Sequence, residues 1–223
     1  MTHIKICGIK NEAHAIAIAK AGVNFMGLVF ATSPRQITTL YAKKIVDLLR
    51  MRDNSTEAVG VFVNTNAASV NQIAETCNLD WVQLNGDEPW GYCRELNRPV
   101  IKVIRVSRNF KPETIIANLA LGEKTLANQK HIFLIDSNTP EKYGGTGQPF
   151  NWELARPIAE RFPVIIAGGL SPDNVREAIQ TIKPWGVDVS SGVETQGAKD
   201  LDKILKFINT VKNTDEENGQ ASA

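Results

Sequence analysis

Cysteine is scarce in this chain of 223 residues: Cys7, Cys77 and Cys93 are the three present. They are too few and too scattered for a disulfide framework or a zinc ribbon, so a reducing cytoplasm is the expected compartment. An excess of one charge is also lacking, with 25 Lys plus Arg against 24 Asp plus Glu. Without a basic surplus, neither nucleic acid nor an anionic membrane surface is an expected partner, and any anion site must be local. No apolar run approaches the ~18 residues of a membrane span. The N-terminus enters a strand pattern at once, without a signal-peptide pattern. Linkers rich in Gly, Pro or Ser are missing, as are internal repeats. The expectation is one domain over 1–212, followed by a polar, frayed tail at 213–223.

What the chain does have is alternation. Short β-branched runs recur at Ile4 to Cys7, Phe25 to Phe30, Ala58 to Val63, Trp81 to Leu84, Val100 to Val106, His131 to Asp136, Val164 to Ala167 and Gly186 to Val189. After each comes a segment of helical period: Asn11 to Ala21, Thr38 to Arg50, Asn66 to Cys77, Pro89 to Leu96, Pro112 to Ala120, Trp152 to Arg161, Pro172 to Ile182 and Asp202 to Val211. Ser171-Pro172-Asp173 places a capping hydroxyl before a first-turn proline. Near-continuous apolar strands alternating with helices argue for an α/β fold with a covered parallel sheet. Eight units in a row favour closure into a single (β/α)8 barrel, whose active site would lie at the C-terminal ends of the strands.

Two of those ends break into small residues, Gly168-Gly169 and Ser190-Ser191-Gly192. Such breaks let backbone N–H groups approach an anion, and loops seven and eight are where barrels often hold phosphate; the bland alternative is a tight turn. Cys7 ends the first strand, where a thiol could act as base or nucleophile or could pack as a small hydrophobe. Cys77 and Cys93 read as buried helix residues. Lys5 is expected on the opposite side of its strand from Cys7, away from the chemistry. Asp136 follows Ile132-Phe133-Leu134-Ile135, and burial there would raise its pKa toward that of a general acid; a helix cap or a metal ligand are the opposed readings, and no partner stands at metal-ligand spacing. Arg35 offers either a fork for a carboxylate or an ordinary surface charge. Gly144 and Gly145, in Tyr143 to Gly147, suggest a mobile lid over the substrate or an idle loop.

Taken in order, Lys5-Ile6-Cys7-Gly8, Gly60 to Asn64, Val82-Gln83-Leu84, Asp136 with Gly144 to Gly147, Ala167 to Leu170 and Val187 to Glu194 resemble phosphoribosylanthranilate isomerase. The resemblance runs from Lys5 to about Lys199. It implies an Amadori rearrangement of N-(5-phosphoribosyl)anthranilate to 1-(2-carboxyphenylamino)-1-deoxyribulose 5-phosphate, the third step of tryptophan biosynthesis from chorismate. It further implies that Cys7 is the general base, Asp136 the general acid, Arg35 the partner of the anthranilate carboxylate, and loops seven and eight the phosphate grip, with neither cofactor nor metal. The family often has His after Gln-Leu in the fourth-strand motif, whereas this chain has Asn85. Two other readings remain: another sugar-phosphate isomerase or epimerase barrel, and a non-catalytic barrel that binds a phosphometabolite. The expected partner is a small phosphorylated substrate, and the expected assembly a monomer or a homodimer.

Overall fold

A computed structural model describes residues 1–52, 55–137 and 151–220. Every apolar run expected to be a strand forms one: β1 (His3–Cys7), β2 (Phe25–Val29), β3 (Glu57–Phe62), β4 (Trp81–Leu84), β5 (Val100–Val106), β6 (His131–Ser137), β7 (Val164–Ile166) and β8 (Gly186–Val189). All pair in parallel with their neighbours, and β1 pairs with both β2 and β8, so the sheet closes into an eight-stranded barrel. Helices α1 (Glu12–Lys20), α2 (Thr39–Arg52), α3 (Ala67–Thr76), α4 (Trp90–Cys93), α5 (Pro112–Thr125), α6 (Arg156–Ala159), α7 (Val175–Ile182) and α8 (Leu201–Gln220) follow the strands in turn. Among the described residues no helix is long and apolar enough to cross a membrane.

Period-two alternation divides each strand between two environments. Outward residues such as Ile4, Ile6, Met26 and Val82 join a large apolar layer beneath the helices. Inward residues near the strand starts, among them Phe25, Val59, Trp81, Ile101 and Ile165, plug the barrel. At the opposite end a small group of Cys7, Val29 and Val61 leaves the mouth less filled. That difference in filling is what makes room for a site.

Helix boundaries depart from expectation where side chains find other work. The expected Trp152 to Arg161 helix splits into a 3-10 turn at Trp152–Leu154 and the single turn of α6. Pro157, which lacks an N–H, sits at the start of α6 and interrupts the ladder. Helix α7 starts at Val175, not Pro172, because Asn174 turns back: its Oδ1 accepts from Ser171 N at 2.8 Å and its Nδ2 donates to Gly169 O at 2.8 Å. Helix α4 is a single turn, shorter than Pro89 to Leu96.

The frayed tail expected at 213–223 is corrected over residues 213–220, which continue α8; residues 221–223 lie outside the described residues. Polar composition hid the reason. Ile204, Phe207, Ile208, Val211 and Thr214 lie on one buried face of α8, and Asp215 accepts from both Thr2 N (2.5 Å) and Thr2 Oγ1 (2.7 Å). The last turns of α8 therefore tie the C-terminus to the entry of β1. Ending the chain at Lys212 is expected to lower unfolding free energy by about 2 kcal/mol, the scale of lost hydrogen bonds to a charged acceptor. Urea unfolding checks this, and an unchanged midpoint would return these residues to the role of a passive tail.

Candidate active site

The C-terminal ends of the strands open onto a cavity of about 470 Å³. Of the expected site residues, Cys7, Arg35, Asp136, Gly168, Gly169, Ser190 and Ser191 all line it. Gly144 and Gly145 lie outside the described residues. Gly192 stands behind the lining, where a Cβ would come within 1.8 Å of Leu170 O. No other residue lets loop eight press so closely onto loop seven. Gly168 has φ +87°, and a Cβ there would reach 2.4 Å from Ser137 Oγ and 2.8 Å from Asp136 Oδ1. Bare backbone thus runs directly past the Asp136 carboxyl. Loop eight is fastened in turn, with Ser190 Oγ donating to Cys7 O at 3.2 Å and Lys199 Nζ donating to Ser190 O at 2.7 Å.

Asp136 is buried on the inner face of β6. Burial, aided by the neighbouring Asp188 charge, pushes its carboxyl up to about 7 against the pull of Ser137 N–H, Arg105 and Lys5. It is thus poised to hold a proton near neutrality. The Cys7 thiol fills the space that a side chain at Gly27 would need. Burial pushes the thiol up, and Asp188 adds to this, while Lys5 and Lys199 draw it down.

The expectation that Lys5 faces away from Cys7 is wrong. Residues two apart on a strand share a face, so Lys5 and Cys7 both point into the barrel. Lys5 is fully buried, its Nζ 2.9 Å from Asp188 Oδ1. Burial alone would favour the neutral amine, but Asp188 and Cys7 outweigh it and hold the Lys5 ammonium above its ordinary range. Asp188 itself was legible only as part of a motif, although a carboxylate inside the apolar run Gly186–Val189 carries the same desolvation signal that singles out Asp136.

Arg35 meets a carboxylate, though one from the protein. Its Nε and Nη2 donate to Glu194 Oε1 and Oε2 at 2.7 and 2.8 Å, and Lys199 Nζ shares Oε1 at 2.8 Å. Burial would raise the Glu194 pKa, but the bonds from Arg35 and Lys199 hold it below the usual range. The Arg35 Nη1 edge is without a protein partner among the described residues. Across the cavity, Gln83 Nε2 donates to Asn85 Oδ1 at 3.1 Å, so Asn85 accepts from Gln83. Gln83 Oε1 is buried and lacks a protein partner among the described residues. Cys77 and Cys93 are buried under helices, away from the cavity lining.

A carboxyl that holds its proton more tightly when folded makes the native state lose stability as pH rises. The loss begins near the unfolded value of ~3.9 and is complete above the native one, here about 7. The stability advantage of Asp136→Asn over the unsubstituted protein is therefore expected to grow between pH 4 and pH 7, by up to about 4 kcal/mol, and to level off above. Urea unfolding across this range checks it; a difference independent of pH would refute the burial argument.

A family model described as N-(5'phosphoribosyl)anthranilate (PRA) isomerase matches residues 4–210. N-(5'-phosphoribosyl)anthranilate isomerase of Dehalococcoides mccartyi is 45% identical over 215 residues, which cover 96% of this chain and 98% of that one. The crystal structure of phosphoribosyl anthranilate isomerase from Thermotoga maritima is similar with TM-score 0.80 and 36% identity, covering 96% of this chain and 100% of that chain. A further phosphoribosyl anthranilate isomerase, solved in complex with reduced 1-(O-carboxyphenylamino)-1-deoxyribulose 5-phosphate, has TM-score 0.77 and 33% identity over 96% of this chain and 100% of that chain. With this family-model match, these relatives and its closed eight-stranded barrel, the chain belongs to the N-(5'-phosphoribosyl)anthranilate isomerase family.

Proposed function

We propose that this chain isomerises N-(5'-phosphoribosyl)anthranilate to 1-(2-carboxyphenylamino)-1-deoxyribulose 5-phosphate, the third step of tryptophan biosynthesis from chorismate, with Asp136 as acid and Cys7 as base. The observation that carries the assignment of roles is the order of groups around the barrel: Asp136 on β6, glycine after β7, serines after β8, Cys7 on β1, all facing one cavity. A phosphate held by the two middle loops leaves its ribose between an acid and a base. Arg35, already aligned by Glu194, meets the anthranilate carboxylate with its Nη1 edge. The setting that accords with this chemistry is the cytoplasm, for a monomer or a homodimer.

The proton steps balance within these two side chains. Asp136 gives its proton to the furanose ring oxygen as the C1–O bond breaks, and the anilino nitrogen lone pair forms an iminium with C1. The positive iminium acidifies the C2 proton, which the Cys7 thiolate removes; the C–H electrons become the C1–C2 double bond of an enolamine. Collapse to the ketone then places a proton on C1 and releases one from the C2 hydroxyl. Cys7 can supply the first and Asp136 recover the second, so both return to their starting forms. An acid near pH 7 donates readily and is regenerated readily.

Cys7→Ala and Asp136→Asn are each expected to lower turnover at least about 100-fold with the fold intact. Steady-state assay of phosphoribosylanthranilate consumption, with circular dichroism as the folding check, decides this; wild-type turnover in either variant overturns the assigned roles. Arg35→Ala is expected to raise KM about tenfold or more through loss of a charge-assisted contact. An unchanged KM would remove Arg35 as the carboxylate partner.

A further inference from the structure

General acid–base chemistry here demands an inverted pair. At neutral pH an ordinary carboxyl is ionised and an ordinary thiol protonated, yet the reaction needs the carboxyl protonated and the sulfur anionic. Moving a proton from Cys7 to Asp136 leaves the net charge of the site unchanged. Either arrangement buries one negative charge, so an oriented field can bias the choice between them.

The barrel supplies a source of such a field. Arg105 pairs with Asp136 across β5 and β6, and Lys5 pairs with Asp188 across β1 and β8. Carried one residue on, the registers of Ile135 with Ile166 and of Ile166 with Val187 set Asp136 beside Ala167 and Ala167 beside Asp188. Asp136, Ala167, Asp188 and Lys5 therefore form one inward row across four adjacent strands of the eight. The Lys5–Asp188 ion pair spans 2.9 Å with side-chain exposures of 0% and 8%, so water does not screen it. Its positive end lies beneath Cys7 on the same face of β1, and its negative end lies toward Asp136.

We propose that the buried Lys5–Asp188 pair is the positioning element of the acid–base couple, its dipole biasing the couple toward thiolate at Cys7 and carboxylic acid at Asp136 when substrate is bound. This rests on the reading of Cys7 as base and Asp136 as acid. At Cys7 burial acts first and holds the thiol above its ordinary range, Asp188 adding to this, while Lys5 and Lys199 draw it back toward its anion; the Arg35 guanidinium also interacts with it. At Asp136 burial acts first, Asp188 adds to it, and Arg105 and Lys5 oppose. Each end of the ion pair thus pushes its nearer catalytic group in the direction required. Asp188 has a second duty, since without it the ammonium would be a lone buried charge.

The test is the pH dependence of iodoacetamide alkylation at Cys7, read cysteine by cysteine with mass spectrometry, in the full-length protein and in Lys5→Met. Buried Cys77 and Cys93 serve as folding reporters, because they stay unmodified while the barrel holds. The expected result is an alkylation midpoint at least one pH unit higher in Lys5→Met, with kcat reduced tenfold or more and KM changed less than threefold. An unmoved midpoint in the folded variant overturns the proposal. Should Lys5→Met fail to fold, Lys5→Met combined with Asp188→Leu replaces the whole ion pair by apolar groups, a change buried pairs often tolerate; a smaller rise in midpoint is expected there, because Asp188 opposes Lys5 at Cys7, and an unmoved midpoint is equally fatal. Alkylation requires no turnover, so failure of the base reading, seen as full activity of Cys7→Ala, is distinguishable from failure of this one.

Discussion

The backbone pairing of β1 with β8 is the constraint on which the site depends. It brings together residues separated by 183 positions in sequence, Lys5 with Asp188 and Ser190 with the Cys7 carbonyl. An open sheet of the same strands would leave Cys7 at one edge and the serine loop at the other. Closure makes the first strand the neighbour of the last, so Asp136, the glycine and serine loops and Cys7 occupy consecutive strands. The end of α8 reinforces this seam from outside, where Asp215 holds Thr2 at the start of β1.

Much of what serves chemistry here works against the fold. A carboxyl, a lysine and a thiol are packed where an apolar side chain would be the stabilising choice, and each shifts away from its solution behaviour in consequence. The barrel tolerates this because the plug at the opposite end is largely apolar and aromatic, with Phe25 and Trp81 in edge contact at 5.9 Å. One end of the barrel supplies cohesion and the other spends part of it. Deep placement keeps the field of the ion pair undamped near Cys7 and Asp136, since the same charges at the surface would be screened by solvent and salt.

How far the sequence disclosed this follows the range of the interactions. Strands were legible because their signal is local and strong, as in Val100–Val106, where both ends match expectation. Cys7, Asp136, Gly168 and Ser190 were legible because strand ends in a closed barrel converge wherever the fold is known. Lys5 was misplaced by a parity error, as counting residues along β1 puts it on the face of Cys7. The Arg35–Glu194 contact joins loops 159 residues apart and leaves no periodic trace. For α8, composition pointed the wrong way: a polar segment was ordered by one buried threonine and one aspartate whose partner sits at the far end of the chain.

Glu194 grips Arg35 through two bonds while Lys199 grips Glu194, and all three are at least partly withdrawn from solvent. A guanidinium on a long stem would otherwise wander among many rotamers, and a ligand would have to arrest that motion on arrival. In this barrel the arrest has already happened during folding. A carboxylate bound there, as proposed, would meet a stationary edge, and the conformational entropy of Arg35 would drop out of the affinity, leaving the ligand's own fit to decide how tightly it is held.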